Sequence, residues 1–220
     1  LEPSNFTELK GRLINMGLIS NGTTLLDAGA LDSGIATGSM TLIKTVTISS
    51  NTANVSFIHG TSSVVFDNTY KEYIFKFINV HGTSDPGGIL FQGTTDGSNF
   101  NIATTSSTFR AFHDEGDTTA TLAYASGYEQ SNATGFQYLT STSGNDNDQC
   151  EVITFQIFNP ADTTFVKHYI SRSNGSNDGD YSTSMFVGGY LNTTSAVTGL
   201  RFAMDSGNIA SATIKMYGVK

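Results

Sequence analysis

The chain has 220 residues, 14% of them charged and 38% hydrophobic, with a formal net charge of −8. Its 11 Lys and Arg never cluster, so this acidic protein is a poor partner for nucleic acid or an anionic membrane. One cysteine, Cys150, excludes an intrachain disulfide, and no apolar stretch reaches the roughly 18–20 residues that span a bilayer.

The first 40 residues differ from the rest. Phe6, Leu9, Leu13 and Met16 are spaced three, four and three apart, which is one helix face. Asn5 can cap that helix, Glu8 completes a capping box, and Gly17 suits its end. The spacing predicts a short amphipathic helix over 6–16. The Gly-rich stretch 20–40 has only Leu25, Leu26, Leu31 and Ile35 as anchors, so it reads as an extended arm ordered by a partner. Two readings stand side by side: docking by the helix and arm, or a helix and loop folded back on their own domain. In the docking reading, Phe6, Leu9, Leu13 and Met16 contact the particle or a neighbouring subunit. The opening residue is Leu1 rather than Met, which reads as a processed product or a fragment.

From Met40 onward strands follow one another, giving an amino-terminal segment 1–40 and a domain 41–220. Strands are expected at 40–48, 53–58, 63–66, 72–81, 88–94, 107–113, 119–125, 135–140, 150–158, 164–171, 184–191, 197–204 and 209–219. Turn sequences stand between them: Asp85-Pro-Gly-Gly88, Asp96-Gly97, Gly144 to Asp148, Asn159-Pro160, and Asn174 to Asp180. A dozen short strands at near-regular spacing predict an all-β fold, an antiparallel two-sheet β-sandwich. Its centre is Glu72–Val80. There Tyr73, Phe75 and Phe77 fall on one side of an extended strand, and Ile74, Lys76, Ile78 and Val80 on the other. Phe75, Phe77, Phe155 and Ile214 are expected inside.

Few residues offer chemistry. His59, His81, His113 and His168 are scattered and form no metal-ligand spacing. The acidic stretches His113–Asp117, Asp146–Asp148 and Asp178–Asp180 are oxygen-rich like calcium loops, but none has EF-hand spacing, and solvated turns explain them as well. There are six Glu, none in a recognisable catalytic context. Gly-x-Ser-x-Gly is absent, and Cys150 in its apolar run reads as a small buried hydrophobe. No catalytic, cofactor or metal residue is assigned, and no enzyme activity is expected. Tyr124, Tyr128, Phe136, Tyr138, Tyr181 and Tyr190 are candidates for a sugar platform, although Trp is absent. Low charge and exposed sheet edges suit a homo-oligomer.

The run from Ser206 to Val219, with Gly207-Asn-Ile209 and Ile214-Lys-Met-Tyr-Gly-Val219, resembles the ending of many β-rich virion proteins of tailed bacteriophages, marine ones especially. Thr69–Asn79, Asn145–Asp148, Phe158-Asn-Pro160 with Phe165–His168, and Gly189–Ala196 are similar to the same proteins, so the resemblance spans roughly 40–220. It implies a jelly-roll-like or lectin-like sandwich and brings no catalytic residues. It also implies a virion structural protein on the phage surface, a capsid decoration, head-fibre or tail-fibre component. Such a protein would be a trimer, with other virion proteins as partners. The alternative is a carbohydrate-binding module recognising host surface glycans.

Overall fold

The computed structural model describes residues 39–177 and 179–220, together with the backbone of Leu18–Ser20, Thr23–Asp27 and Ala30–Leu31. The helix expected over 6–16, with Phe6, Leu9, Leu13 and Met16, lies outside the described residues. The chain divides into two units, Leu1–Ser39 and Met40–Lys220.

In the first unit, β1 (Leu18–Ser20), β2 (Thr23–Asp27) and β3 (Ala30–Leu31) form a small antiparallel sheet in which Leu26 pairs with both Leu18 and Leu31. Over the described residues Thr23–Asp27 and Ala30–Leu31, strands stand where an extended arm is expected. The sequence between β1 and β2 is Asn-Gly, the dipeptide favoured by tight hairpin turns.

The second unit contains β4 (Met40–Ile48), β5 (Asn54–Ile58), β6 (Glu72–Gly82), β7 (Ile89–Thr94), β8 (Thr104–Asp114), β9 (Ala120–Tyr124), β10 (Ser131–Ala133), β11 (Gln137–Tyr138), β12 (Glu151–Phe158), β13 (Lys167–Ser176), β14 (Tyr181–Leu191), β15 (Gly199–Met204) and β16 (Ile209–Val219). A large antiparallel sheet runs β10-β8-β14-β13-β12-β6-β16-β4, with β9 also on β8. A small one runs β11-β7-β15-β5. The two pack face to face as a β-sandwich. Phe57, Phe91 and Phe202 of the small sheet meet Phe75, Phe77, Phe155 and Tyr169 of the large one. Ring centroids are 4.8 Å apart for Phe91–Phe155, 4.9 Å for Phe77–Phe202 and 5.1 Å for Phe57–Phe75. Most of these pairs are edge-on or tilted, the arrangement the ring quadrupole favours.

Phe75, Phe77, Phe155 and Ile214 are all buried, as alternation predicts. The alternation fails once in β6. Asn79 adopts a φ of 51°, and the register slips by one residue: Phe77 faces Ile153 while Val80 faces Glu151. This bulge turns Val80 into the core, away from the face it shares by count with Ile74 and Ile78. The strand expected at 63–66 is absent, although Val64 and Phe66 are buried. Ser62 and Ser63 have positive φ, so the backbone turns there, and Phe66 N–H donates to His59 Nδ1 at 3.0 Å instead of to a strand.

Phe75→Ala should lower unfolding free energy by about 3–5 kcal/mol in urea titrations, because its cavity lies where both sheets meet. At the bulge, Asn79→Val should cost about 1–2 kcal/mol, since a branched side chain resists the left-handed region, whereas Asn79→Gly should be nearly neutral.

Candidate functional site

The adjacent strands β8, β14, β13 and β12 bring their ends together, because Asp114 pairs with Tyr181 and Asn174 with Val152. Three acidic stretches singled out in the sequence thereby become neighbours. They border a cleft of about 610 Å³ with Asp114, Glu115, Asp146, Asp148 and Asp180 around it and Asn174, Tyr181 and Ser182 among its walls. Glu115 N–H donates to Asp180 O at 3.1 Å, tying two of the turns together. Gln149, almost fully buried, holds the third: its Nε2 donates to Asn177 O at 3.0 Å and its Oε1 accepts from Asp146 N–H at 3.2 Å.

The carboxylates do not converge. Asp114 accepts from the amides of Thr118 and Thr119 at 2.9 and 2.7 Å and from the Thr118 hydroxyl. That hydroxyl, with the two amides, holds its pKa below the usual carboxylate range. Asp117 meets His113 Nε2 at 3.1 Å. Among the described residues no three of His, Cys, Asp and Glu gather closely enough to hold a metal ion. The cleft offers acceptors and a few donors: Asn174 Nδ2 reaches Ser182 Oγ at 3.2 Å and Ser184 Oγ at 3.1 Å.

Cys150 is only half-buried, which corrects the reading of a small buried hydrophobe. It stands just before β12, where the core face begins at Glu151. Its Sγ lies 4.0 Å from Asn79 Oδ1 and borders the cleft. Glu151 takes the inward position. Its Oε2 has no partner among the described residues. Burial pushes its pKa up to about 8; the Asp205 carboxylate adds to this and a Thr140 hydrogen bond opposes it. Gly175 makes room for it, since a Cβ there would come within 2.8 Å of Glu151 Cγ.

The aromatic residues proposed as a sugar platform do not assemble into one. Tyr128 and Tyr138 pack edge-on at 5.1 Å, Tyr181 packs on Phe112 at 5.6 Å, and Tyr190 on His168 at 5.9 Å. Phe136 lies beneath Arg201 at 5.2 Å, while Tyr124 stands exposed on β9.

Sequence reasoning missed a second surface, the outward face of the large sheet. Nine large apolar side chains are exposed among the described residues, and eight are on this face: Met40, Leu42, Ile78, Phe109, Leu122, Tyr124, Val152 and Ile170. One row crosses eight strands in register as Tyr124, Phe109, Phe186, Arg172, Thr154, Lys76, Lys215 and Thr45. Phe109 and Phe186 stack at 4.8 Å, and the Arg172 guanidinium lies over Phe186 at 5.2 Å. Lys76 and Lys215 stand directly opposite each other. Among the described residues neither has a carboxylate within ion-pair distance. Each strand's outward alternation is legible in the sequence, but the row exists only through the pairing of strands distant in the chain.

No model of a known protein family matches this chain, and no curated protein does. Among solved structures, the crystal structure of the infectious bursal disease virus VP2 subviral particle is similar at 9% identity, over 94% of this chain and 46% of that one. The chain spans less than half of that protein's length, and at a TM-score of 0.14 nothing about function follows from the likeness.

Glu151 gives a pH dependence of stability. Below about pH 4.5 it is protonated whether the chain is folded or unfolded, so its contribution is fully present. As the pH rises, unfolded chains shed a proton that folded ones keep, and the contribution is lost as pH passes through about 8. Thermal melts should therefore show a midpoint falling between pH 5 and 8, and Glu151→Gln should flatten that fall and melt higher than the parent at pH 8. A slope unchanged by the substitution would assign the dependence to other groups.

Proposed function

We propose that the chain is a non-enzymatic structural protein of a tailed-phage virion, a capsid decoration, head-fibre or tail-fibre component on the particle surface. It docks to other virion proteins through its amino-terminal unit and displays the sandwich. The observation that carries this reading is where the phage-like stretches fall. Thr69–Asn79 and Ser206–Val219 contain most of β6 and all of β16, adjacent interior strands of the large sheet. The two longest stretches therefore belong to the framework, while the shorter Asn145–Asp148 borders the acidic cleft. The division of the chain at Ser39 supports separate docking and display parts. A non-catalytic role is supported by Cys150, whose thiol has only Asn79 as a side-chain hydrogen-bond partner among the described residues, and by Glu151, which is buried away from any substrate. Self-association in threes comes from the same resemblance.

The cleft favours a second reading. Its carboxylates, Asn174 amide and Ser182 and Tyr181 hydroxyls suit the hydroxyls of a surface glycan. In this reading the displayed sandwich recognises carbohydrate. Glycan-array binding that disappears on Asn174→Ala would establish it, and an array without signal would leave the purely structural role.

Density for this chain on the surface of an intact particle is the direct test. Deleting residues 1–39 should leave a folded sandwich that no longer attaches. A truncated chain that fails to fold would overturn separate docking.

A further inference from the structure

We infer that the outward face of the large sheet is a two-fold interface with a second copy of this chain. Eight strands about 4.8 Å apart and four rows about 7 Å apart give a face on the order of 700 Å². A standard protein–protein interface takes about 800 Å² from each partner. The large apolar side chains exposed in the described part of the sandwich, Phe165 excepted, are concentrated here, as on a surface that loses water on assembly.

Among the two-fold contacts open to this face, charge selects the symmetry. In a protein of net charge −8 the row carries Arg172, Lys76 and Lys215. Along these strands the one outward carboxylate is Glu72, already accepting from Gln156 Nε2 at 2.8 Å. The row is bipolar: Tyr124, Phe109 and Phe186 occupy one half, Lys76 and Lys215 the other. Like charges directly opposite are destabilising, so a contact that set further lysines on Lys76 and Lys215 is disfavoured. A two-fold axis parallel to the strands, between β13 and β12, reverses the strand order of the second copy. Its aromatic half then covers the lysine half of the first, and the reverse holds on the other side of the axis. Lysine stems lie against aromatic surface with their charges apart, while the two copies of Arg172 come near the axis, each guanidinium held on its own Phe186. An axis across the strands would instead set lysines on lysines. The contact is isologous and closed. It involves only the sandwich and is independent of how many chains the amino-terminal unit gathers.

The test is the solution mass of the full chain by sedimentation equilibrium. The parent should form an even-numbered assembly. K76E/K215E should halve its mass, and F109K/F186K should do the same by opposing lysine to lysine. Mixed one to one, the two variants should recover the parental mass, because the introduced carboxylates of one face the introduced ammoniums of the other. Circular dichroism checks folding. If either double variant fails to fold, Ile170→Lys, close to the axis, should halve the mass. A parent that stays monomeric at the highest concentration reached would overturn the inference, whatever else covers the face. So would variants that keep the parental mass, or a mixture that does not reassociate.

Discussion

Everything in the sandwich depends on the aromatic layer between its sheets. Phe202 of β15 lies within 6.5 Å of Phe57, Phe75, Phe77, Phe91 and Phe155, so one ring touches partners on both sheets. The small sheet has four strands, two of them short, and its own ladder could not hold it in place. It is held by Phe57 on Phe75 of β6, by Phe91 on Phe155 of β12 and Tyr169 of β13, and by Phe202 on Phe75, Phe77 and Phe155. The register of β6 is therefore fixed from both sides. A one-residue slip would put Ile74 and Lys76 where Phe75 and Phe77 now lie.

That constraint explains which parts of the fold were legible. Where aromatic and β-branched residues alternate, as in β6, β12, β14 and β16, strand and inward face follow from the sequence alone. The bulge at Asn79 does not, because nothing in the order Phe-Ile-Asn-Val says which residue is extra; pairing with β12 and β16 decides it. Val64 and Phe66 look like strand residues because they are buried, but burial in a turn uses the same residue types. The Asn174–Asp180 run carries turn residues throughout, yet β13 continues through Ser176. At Cys150 the strand begins one position later than expected, at Glu151, so the inward place in an apolar run belongs to a glutamate.

The same geometry distributes the charge. A low-charge chain keeps few ions inside, and the two buried among the described residues are treated differently. Lys167, buried at the start of β13, donates to the carbonyls of Phe165 and Thr193 at 2.6 and 3.2 Å, so it keeps hydrogen bonds though burial lowers its pKa. Glu151 has no comparable set of donors and holds its proton instead. Outside, the acidic turns collect at one end of β8, β13 and β14, while the cations of the large sheet stand mid-strand. Neither arrangement can be read from net charge, which averages an acidic rim with a basic, apolar face.

The carboxy-terminal Tyr-Gly-Val motif shows how far a resemblance of this kind reaches. Gly218 lies against the Tyr70 ring so closely that a Cβ would come within 2.4 Å of it. Tyr70 in turn packs edge-on against Tyr73 at 5.8 Å, at the head of the central strand. The glycine is thus required by the packing of the last strand on the segment entering β6. The same reasoning applies to the inward isoleucine and methionine, Ile214 and Met216, which belong to the core. Residues that make a chain look like a family of sandwiches are those a sandwich needs. What such a protein binds or covers is written on its outward positions, and there the lysine between them, Lys215, belongs to the exposed row. One strand thus serves both purposes, with alternate residues committed to the fold and to the surface.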